Sequence, residues 1–341
     1  MTDTKRINLA LQGGGAHGAF TWGVLDRLLE DERIGLEGVS GTSAGAINAA
    51  VMAAGYAEGG RAGARTALDR FWRELSNFAP FSPAQRSFVD WITGNWNLDR
   101  SPGVVFFDMV SRLFSPYDSN PGNVDVLRDM LARRVDIARV RSCPDLKIFV
   151  CATNVRTGQA RVFSRDELTI DALLASACLP TVFRAVEIDG DPYWDGGYMG
   201  NPPIWPLIYF CDSRDVAIVQ INPLERPGVP RTTAEILNRM NEITFNASLI
   251  AEMRAIATVK RLIEEGALTG AATTRYKNML IHQIDDEAGM ADLGAASKFN
   301  LDIRFLEHLR DTGRAAADRW LKDNFDKIGY QSSIDIRATY L

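Results

Sequence analysis

Histidine is scarce in this chain: His17, His282 and His308 are the three it has in 341 residues, and each stands alone. Cysteine is nearly as rare, and Cys143, Cys151, Cys178 and Cys211 form no C-x-x-C pair. A zinc centre therefore has almost nothing to be built from. The thiols read as buried groups of a reducing compartment, not as a disulfide framework. Positive charge is not in excess either. A net charge of −5 gives no basic face to displace the counterions of a duplex, which argues against nucleic acid as a partner. One local basic stretch, "RDMLARRVDIARVR" (128–141), reads either as a solvated helix face running into a strand or as a contact for an anionic surface.

Long hydrophobic runs are missing as well. The N-terminal "MTDTKRINLALQGGG" carries a basic pair, but Asn8, Gln12 and glycines interrupt its apolar stretch. It makes a poor signal peptide and a good first strand. The longest uncharged run, "GVSGTSAGAINAAVMAAGYA" (38–57), approaches spanning length. It is made of Gly, Ala, Ser and Asn instead of Leu and Ile, so it reads as a turn followed by a tightly packed helix. The expected location is cytoplasmic, with any membrane contact peripheral. The sequence does not speak to oligomeric state.

What is present suits a globular chain with a large core, since 46% of residues are apolar and 24% charged. "RINLALQ" (6–12) reads as a buried strand, and "GAFTWGVLDRLLEDE" as a helix with Phe20, Val24 and Leu28 at helical spacing. "IGLEGVSG" (34–41) is a second strand, and "AGAINAAVMAAG" (44–55) a helix closed by Gly55. Strand, helix, strand, helix opens an α/β fold with a parallel sheet. Further strands are expected at 146–154, 159–164, 216–222 and 278–284, with a hairpin over 183–194 turning at Asp189–Gly190. A long amphipathic helix runs from Thr233 to Glu265, and two more lie at roughly 301–312 and 313–327. No repeat or linker divides the chain, so residues 5–225 form a core and 226–341 a mostly helical part packed on it. Between residues 77 and 118, Phe78, Phe81, Phe88, Trp91, Trp96, Phe106 and Phe107 stand without alternation. They either pack on the core or form a lid or vestibule for an apolar substrate.

The chemistry centres on "GTSAG" (41–45), a G-x-S-x-G pentapeptide between a strand and an Ala-rich helix. Flanking glycines let Ser43 sit on a sharp turn with its hydroxyl at the helix N-terminus. The Ala44 N–H then points at any anion forming beside it. Upstream, Gly13, Gly15 and Gly18 satisfy the G-x-G-x-x-G spacing of dinucleotide sites. Such a fold, however, ends its second strand with an acid for the ribose. Here Glu30, Asp31 and Glu32 fall at a helix end and the second strand ends at the serine turn. Adjacent parallel strands bring both loops to one sheet edge, where the N–H groups of Gly14 and Gly15 can hold a tetrahedral oxyanion. A serine also needs a base. "WDGGYMGNPP" (194–203) places Asp195 before Gly196 and Gly197, which on spacing alone is either a turn or that base. Tyr193, Trp194 and Tyr198 either exclude water from Asp195 and raise its basicity or simply pack in the hairpin. Two rivals stand beside this reading. One is a triad of Ser43, Asp195 and His282 or His308. The other is a lipid-surface binding module that uses 77–118 without turnover.

"GGGAHG" (13–18), "GTSAG" (41–45), "SACLPTVF" (176–183) and "WDGGYMGNPP", in that order, resemble the patatin-like phospholipases over about residues 5–225. The resemblance implies a three-layer α/β/α fold with a mostly parallel sheet and hydrolysis of lipid carboxylic esters through an acyl-serine. Phospholipid or lysophospholipid is the implied substrate, with no metal and no cofactor. It makes Ser43 the nucleophile, Asp195 its base, and Gly13, Gly14 and Gly15 the lining of the oxyanion hole. His17, Gly18, Gly41, Gly45, Gly196 and Gly197 shape the loops around them. One departure is His17, where the family often carries Arg or Lys; a fixed charge becomes a group titrating near pH 6.5.

Overall fold

The computed structural model describes residues 4–341 except 100, 120–125, 271, 273 and 274. The chain opens β1 (Lys5–Leu11), α1 (Gly18–Glu30), β2 (Ile34–Thr42), α2 (Ala44–Ser76). Among the described residues one sheet of eight strands runs in the order β5-β6-β3-β2-β1-β7-β8, with β4 also on β3. The later strands are β3 (Lys147–Asn154), β4 (Ala160–Ser164), β5 (Val186–Ile188), β6 (Asp191–Asp195), β7 (Asp215–Val219) and β8 (Leu280–Ile284). Strands β3, β2, β1, β7 and β8 pair in parallel, while β4 and β6 are antiparallel to β3 and β5 to β6.

Alternation along the strands makes the layers. Ile7, Leu9 and Leu11 of β1 join Ile148, Val150, Ala217 and Val219 in one core, under α1, α2 and the helix Ile303–Asn324. Ala10, Phe149, Val216 and Ile218 join a second core on the opposite face. That face is covered by the helices at Trp205–Phe210, Thr233–Glu264 and Ile336–Tyr340. Two covered faces account for the near-continuous apolar runs that mark the central strands. The result is the expected three-layer α/β/α arrangement, and β8 shows that residues beyond 225 add a strand as well as helices.

Three local expectations are corrected. Gly55 does not close α2, which continues to Ser76 and changes direction at Gly59–Gly60. Gly55 is instead where the two halves approach, since a side chain there would meet Gly63 and Ala64. The last two expected helices are one, because Gly313 serves contact and not termination: it lies against the Phe20 carbonyl of α1, as Gly23 of α1 lies against the Arg310 backbone. Residues 128–141 form two helices, Val126–Arg134 and Ile137–Ser142, the second capped by Asp136. Arg133 and Arg134 are taken up by Glu74, and Arg139 by Asp136 and Glu58.

The aromatic insertion divides. Phe78 and Trp96 pack on the large core, and Phe107 lies against Phe299. Phe81 and Phe106 are exposed, with Val105, Met109 and Leu113 beside Phe106 on the helix Pro102–Leu113. The side chains of Phe88 and Trp91 lie outside the described residues. No helix among the described residues is long and apolar enough to cross a membrane.

Candidate active site

Strand β3 brings Ser43 and Asp195 together. Its ladder with β4 occupies Phe149–Thr153, so β2 and β6 share the other edge. On that edge Thr42, the last residue of β2, faces Cys151, and Asp195, the last residue of β6, faces Ala152. As β2 ends, β6 takes over the same edge, and Ser43 meets Asp195 at the junction.

Ser43 sits at φ 54°, ψ −124°, a conformation that L-residues rarely hold and that sharp functional turns impose. Close packing enforces it. A side chain at Gly45 would run into the Leu11 carbonyl of β1, and one at Gly41 would come within 2.6 Å of the Gly45 backbone. The Ser43 N–H donates to Ser176 Oγ at 2.8 Å, and its hydroxyl faces the Asp195 carboxylate and favours its ionised form. Ala44 then begins α2.

Asp195 is 1% exposed. Its Oδ1 accepts the Gly197 N–H at 2.7 Å, its N–H donates to the Cys178 carbonyl at 2.8 Å, and its carbonyl accepts Thr153 Oγ1–H at 2.8 Å. Burial pushes the carboxyl up to about 7, against the opposing pull of the Gly197 and Ser43 hydrogen bonds and the Lys298 charge. Gly196 and Gly197 form the tight turn after it, under the Phe245 ring.

The glycine loop faces this pair. A side chain at Gly13 would touch Ser43 Cβ at 2.8 Å. The Gly13 N–H is already spent on Asn201 Oδ1 at 2.7 Å, and its carbonyl accepts from Asn222 Nδ2 at 2.9 Å. Gly13 thus anchors the loop, while among the described residues the N–H groups of Gly14 and Gly15 make no hydrogen bond. Gly18 starts α1 against Ala44 and Trp72. His17 is buried, with Nε2 2.8 Å from Ser297 Oγ. Because that hydroxyl donates to the Gly294 carbonyl, it accepts from His17 Nε2–H. Burial and the nearby Lys298 and Arg226 cations push His17 well below the ordinary histidine range, so the ring is neutral at pH 6.5 and above. It does not titrate there, contrary to expectation.

The histidine triad is not assembled. His282 lies mid-strand in β8, opposite Ala217, and its Nε2 is 2.9 Å from Asp215 Oδ1 at the N-terminal end of β7. Ser43 stands at the other end of the sheet. His308 is exposed on the helix Ile303–Asn324 and stacks on Trp96. Among the described residues no group of three His, Cys, Asp or Glu gathers as a metal site.

Sequence reasoning missed Ser176, Asn201, Asn222 and Lys298. The first two lie inside the quoted "SACLP" and "GNPP" stretches, but only the fold shows them bonded to Ser43 and Gly13. Asn222 and Lys298 carry no local motif.

The Patatin-like phospholipase family model matches residues 9–208. An uncharacterized NTE family protein of Mycobacterium tuberculosis (strain ATCC 25618 / H37Rv) is 28% identical over 247 residues, covering 70% of this chain and 56% of that protein. The chain therefore spans a little over half the length of that relative. An uncharacterized protein of Acanthamoeba polyphaga mimivirus is 23% identical over 329 residues, 92% of this chain and 93% of the viral one. The crystal structure of VipD from Legionella pneumophila aligns with 91% of this chain and 67% of its own at a TM-score of 0.38 and 17% identity. With its motifs in order and more than half its length matched, the chain belongs to the patatin-like phospholipase family.

Proposed function

We propose that the chain is a serine acyl hydrolase that cleaves carboxylic esters of lipids, phospholipid or lysophospholipid, with Ser43 and Asp195 as a catalytic dyad. The observation that carries this reading is the placing of the Ser43 hydroxyl beside a buried carboxylate that burial pushes up to about 7. An ordinary aspartate, at about 3.9, is too weak a base for an alcohol. A carboxylate poised near the working pH is far better matched.

Ser43 Oγ attacks the ester carbonyl as its proton passes to Asp195. The N–H groups of Gly14 and Gly15, with that of Ala44, receive the tetrahedral oxyanion, a contribution of roughly 3 to 4 kcal/mol per donor in comparable sites. Collapse breaks the C–O bond, and the leaving alkoxide takes the proton from Asp195. Water then attacks the acyl-serine; Asp195 accepts its proton and returns it to Ser43 Oγ as the fatty acid leaves. The exposed Phe106, Met109 and Leu113 favour an apolar substrate delivered from a lipid surface.

Fatty acid release from phosphatidylcholine and lysophosphatidylcholine vesicles tests the reading. Release by the wild type that disappears in Ser43→Ala supports it. Release that survives in folded Ser43→Ala, or binding to vesicles without any release, overturns it.

A further inference from the structure

Among the described residues the one cation whose charge acts on Asp195 comes from the C-terminal part of the chain, far in sequence from every motif around the dyad. Lys298 lies in the short 3-10 turn Ala296–Phe299, and its backbone carbonyl is packed onto Gly15, which holds φ +58°. A side chain at Gly15 would come within 2.5 Å of that carbonyl, so the turn and the glycine loop fit as one surface. The Lys298 ammonium donates to Asn222 Oδ1 at 2.9 Å, and Asn222 Nδ2 in turn donates to the Gly13 carbonyl at 2.9 Å. The same ammonium lies 5.7 Å from the centre of the Phe245 ring, which covers Gly197, the residue whose N–H holds Asp195 Oδ1. Lys298 therefore bonds to Asn222, which holds the glycine loop, and lies beside the ring that covers the turn after Asp195.

We infer that Lys298 is a positioning residue of the dyad, whose ammonium favours the ionised form of Asp195 and, through Asn222, sets the glycine loop. This inference rests on the acyl hydrolase reading.

The surrounding charges leave that role to Lys298. On the long helix Thr233–Glu264, Glu242 faces Lys298 but is engaged by Arg226 at 2.8 Å and Arg239 at 3.1 Å. His17 is neutral, as its burial requires. Around Asp195 the other titratable neighbours are Tyr198 and Cys151, both pushed up by burial and by Asp195 itself, so neither brings a countercharge at neutral pH. Asp195 and Glu242 support the charged form of Lys298, yet desolvation dominates and lowers it to about 8. The ammonium is thus retained over the pH range in which Asp195 loses its proton. A nearby opposite charge favours the carboxylate; here it acts beside the larger pull of the Gly197 N–H and the Ser43 hydroxyl.

The test is the pH profile of kcat/KM for a soluble short-chain ester in the wild type, Lys298→Gln and Lys298→Arg, each checked for folding by its melting curve. The wild-type profile rises through the ionisation of Asp195. In Lys298→Gln that acid limb is expected to move up by about one pH unit, with the activity loss largest below pH 7. In Lys298→Arg, which keeps the charge, the limb stays within a few tenths of a unit. A uniform loss in Lys298→Gln with the limb unmoved would mean a purely structural role and overturn the inference. So would a moved limb in Lys298→Arg, which remains decisive should Lys298→Gln not fold. Ser43→Ala, run alongside, separates the two levels: if it keeps the wild-type activity, the hydrolase reading itself has failed.

Discussion

The two ends of the sheet each hold a buried aspartate, and the two have different neighbours. At the N-terminal end of β7, Asp215 accepts from His282 at 2.9 Å and from the Gly329 N–H at 2.9 Å. This is the pairing that a search for acid–base chemistry would seize on first. The His282 ring packs edge-on against Trp320, and the nearby Ser213 hydroxyl is spent on the Arg6 carbonyl and the Asp215 N–H. At the other end, among the described residues, Asp195 has no histidine beside it and faces a serine hydroxyl. The strands decide between them. Ser43 follows the C-terminal end of β2, where α2 begins and two glycine-bearing turns converge, so free N–H groups collect there. Side-chain identity proposes chemistry, and position on the sheet disposes of it.

Breaking the proposed dyad should have the largest effect. Ser43→Ala removes the nucleophile and should lower kcat by roughly 10⁴-fold or more, read as fatty acid release per folded molecule. Asp195→Asn keeps the shape and removes the base, with an expected loss of roughly 10³- to 10⁴-fold and disappearance of the acid limb from the pH profile. In the wild type that limb should lie near 7, with activity rising as Asp195 loses its proton. A smaller effect separates stability from function. Because folding raises the Asp195 pKa, its contribution to stability is fully present below the unfolded value near 3.8 and is lost as pH rises through about 7. Asp195→Asn should therefore melt a few degrees above the wild type at pH 8, with little difference at pH 4; equal melting at both would deny the burial cost. The structural end should respond the other way. His282→Ala strands a buried Asp215 and should cost roughly 1 to 3 kcal/mol in a denaturation curve while leaving kcat/KM within about threefold.

The same contrast explains what was legible in the sequence. The serine turn is readable because its glycines are demanded by backbone contact: Gly45 against β1 and Gly13 against Ser43. Such demands leave a fixed local pattern. The strands are readable because both sheet faces are covered, which forces apolar runs. Gly55, and the break expected between 312 and 313 where Gly313 stands, mislead for a related reason. Glycine's low helix propensity reads as a stop, yet at both positions a neighbouring backbone needs the space and the helix continues. The supporting polar residues follow no local rule. Asn201 meets the Gly13 N–H across 188 residues of sequence, and Lys298 meets Asn222 across 76. Only the order of strands along the sheet brings them to the site.

The central claim is that an aspartate alone activates the serine. It is tested most directly by the rate of covalent labelling of Ser43 with a fluorophosphonate in the wild type, Asp195→Asn and the His282→Ala/His308→Ala double variant, with the site of attachment mapped by peptide mass. A Ser–Asp dyad predicts label at Ser43, near wild-type rates in the double histidine variant and a rate lowered by several orders in Asp195→Asn. Label that persists at the wild-type rate in Asp195→Asn, or is lost when the histidines are removed from a folded protein, would contradict it.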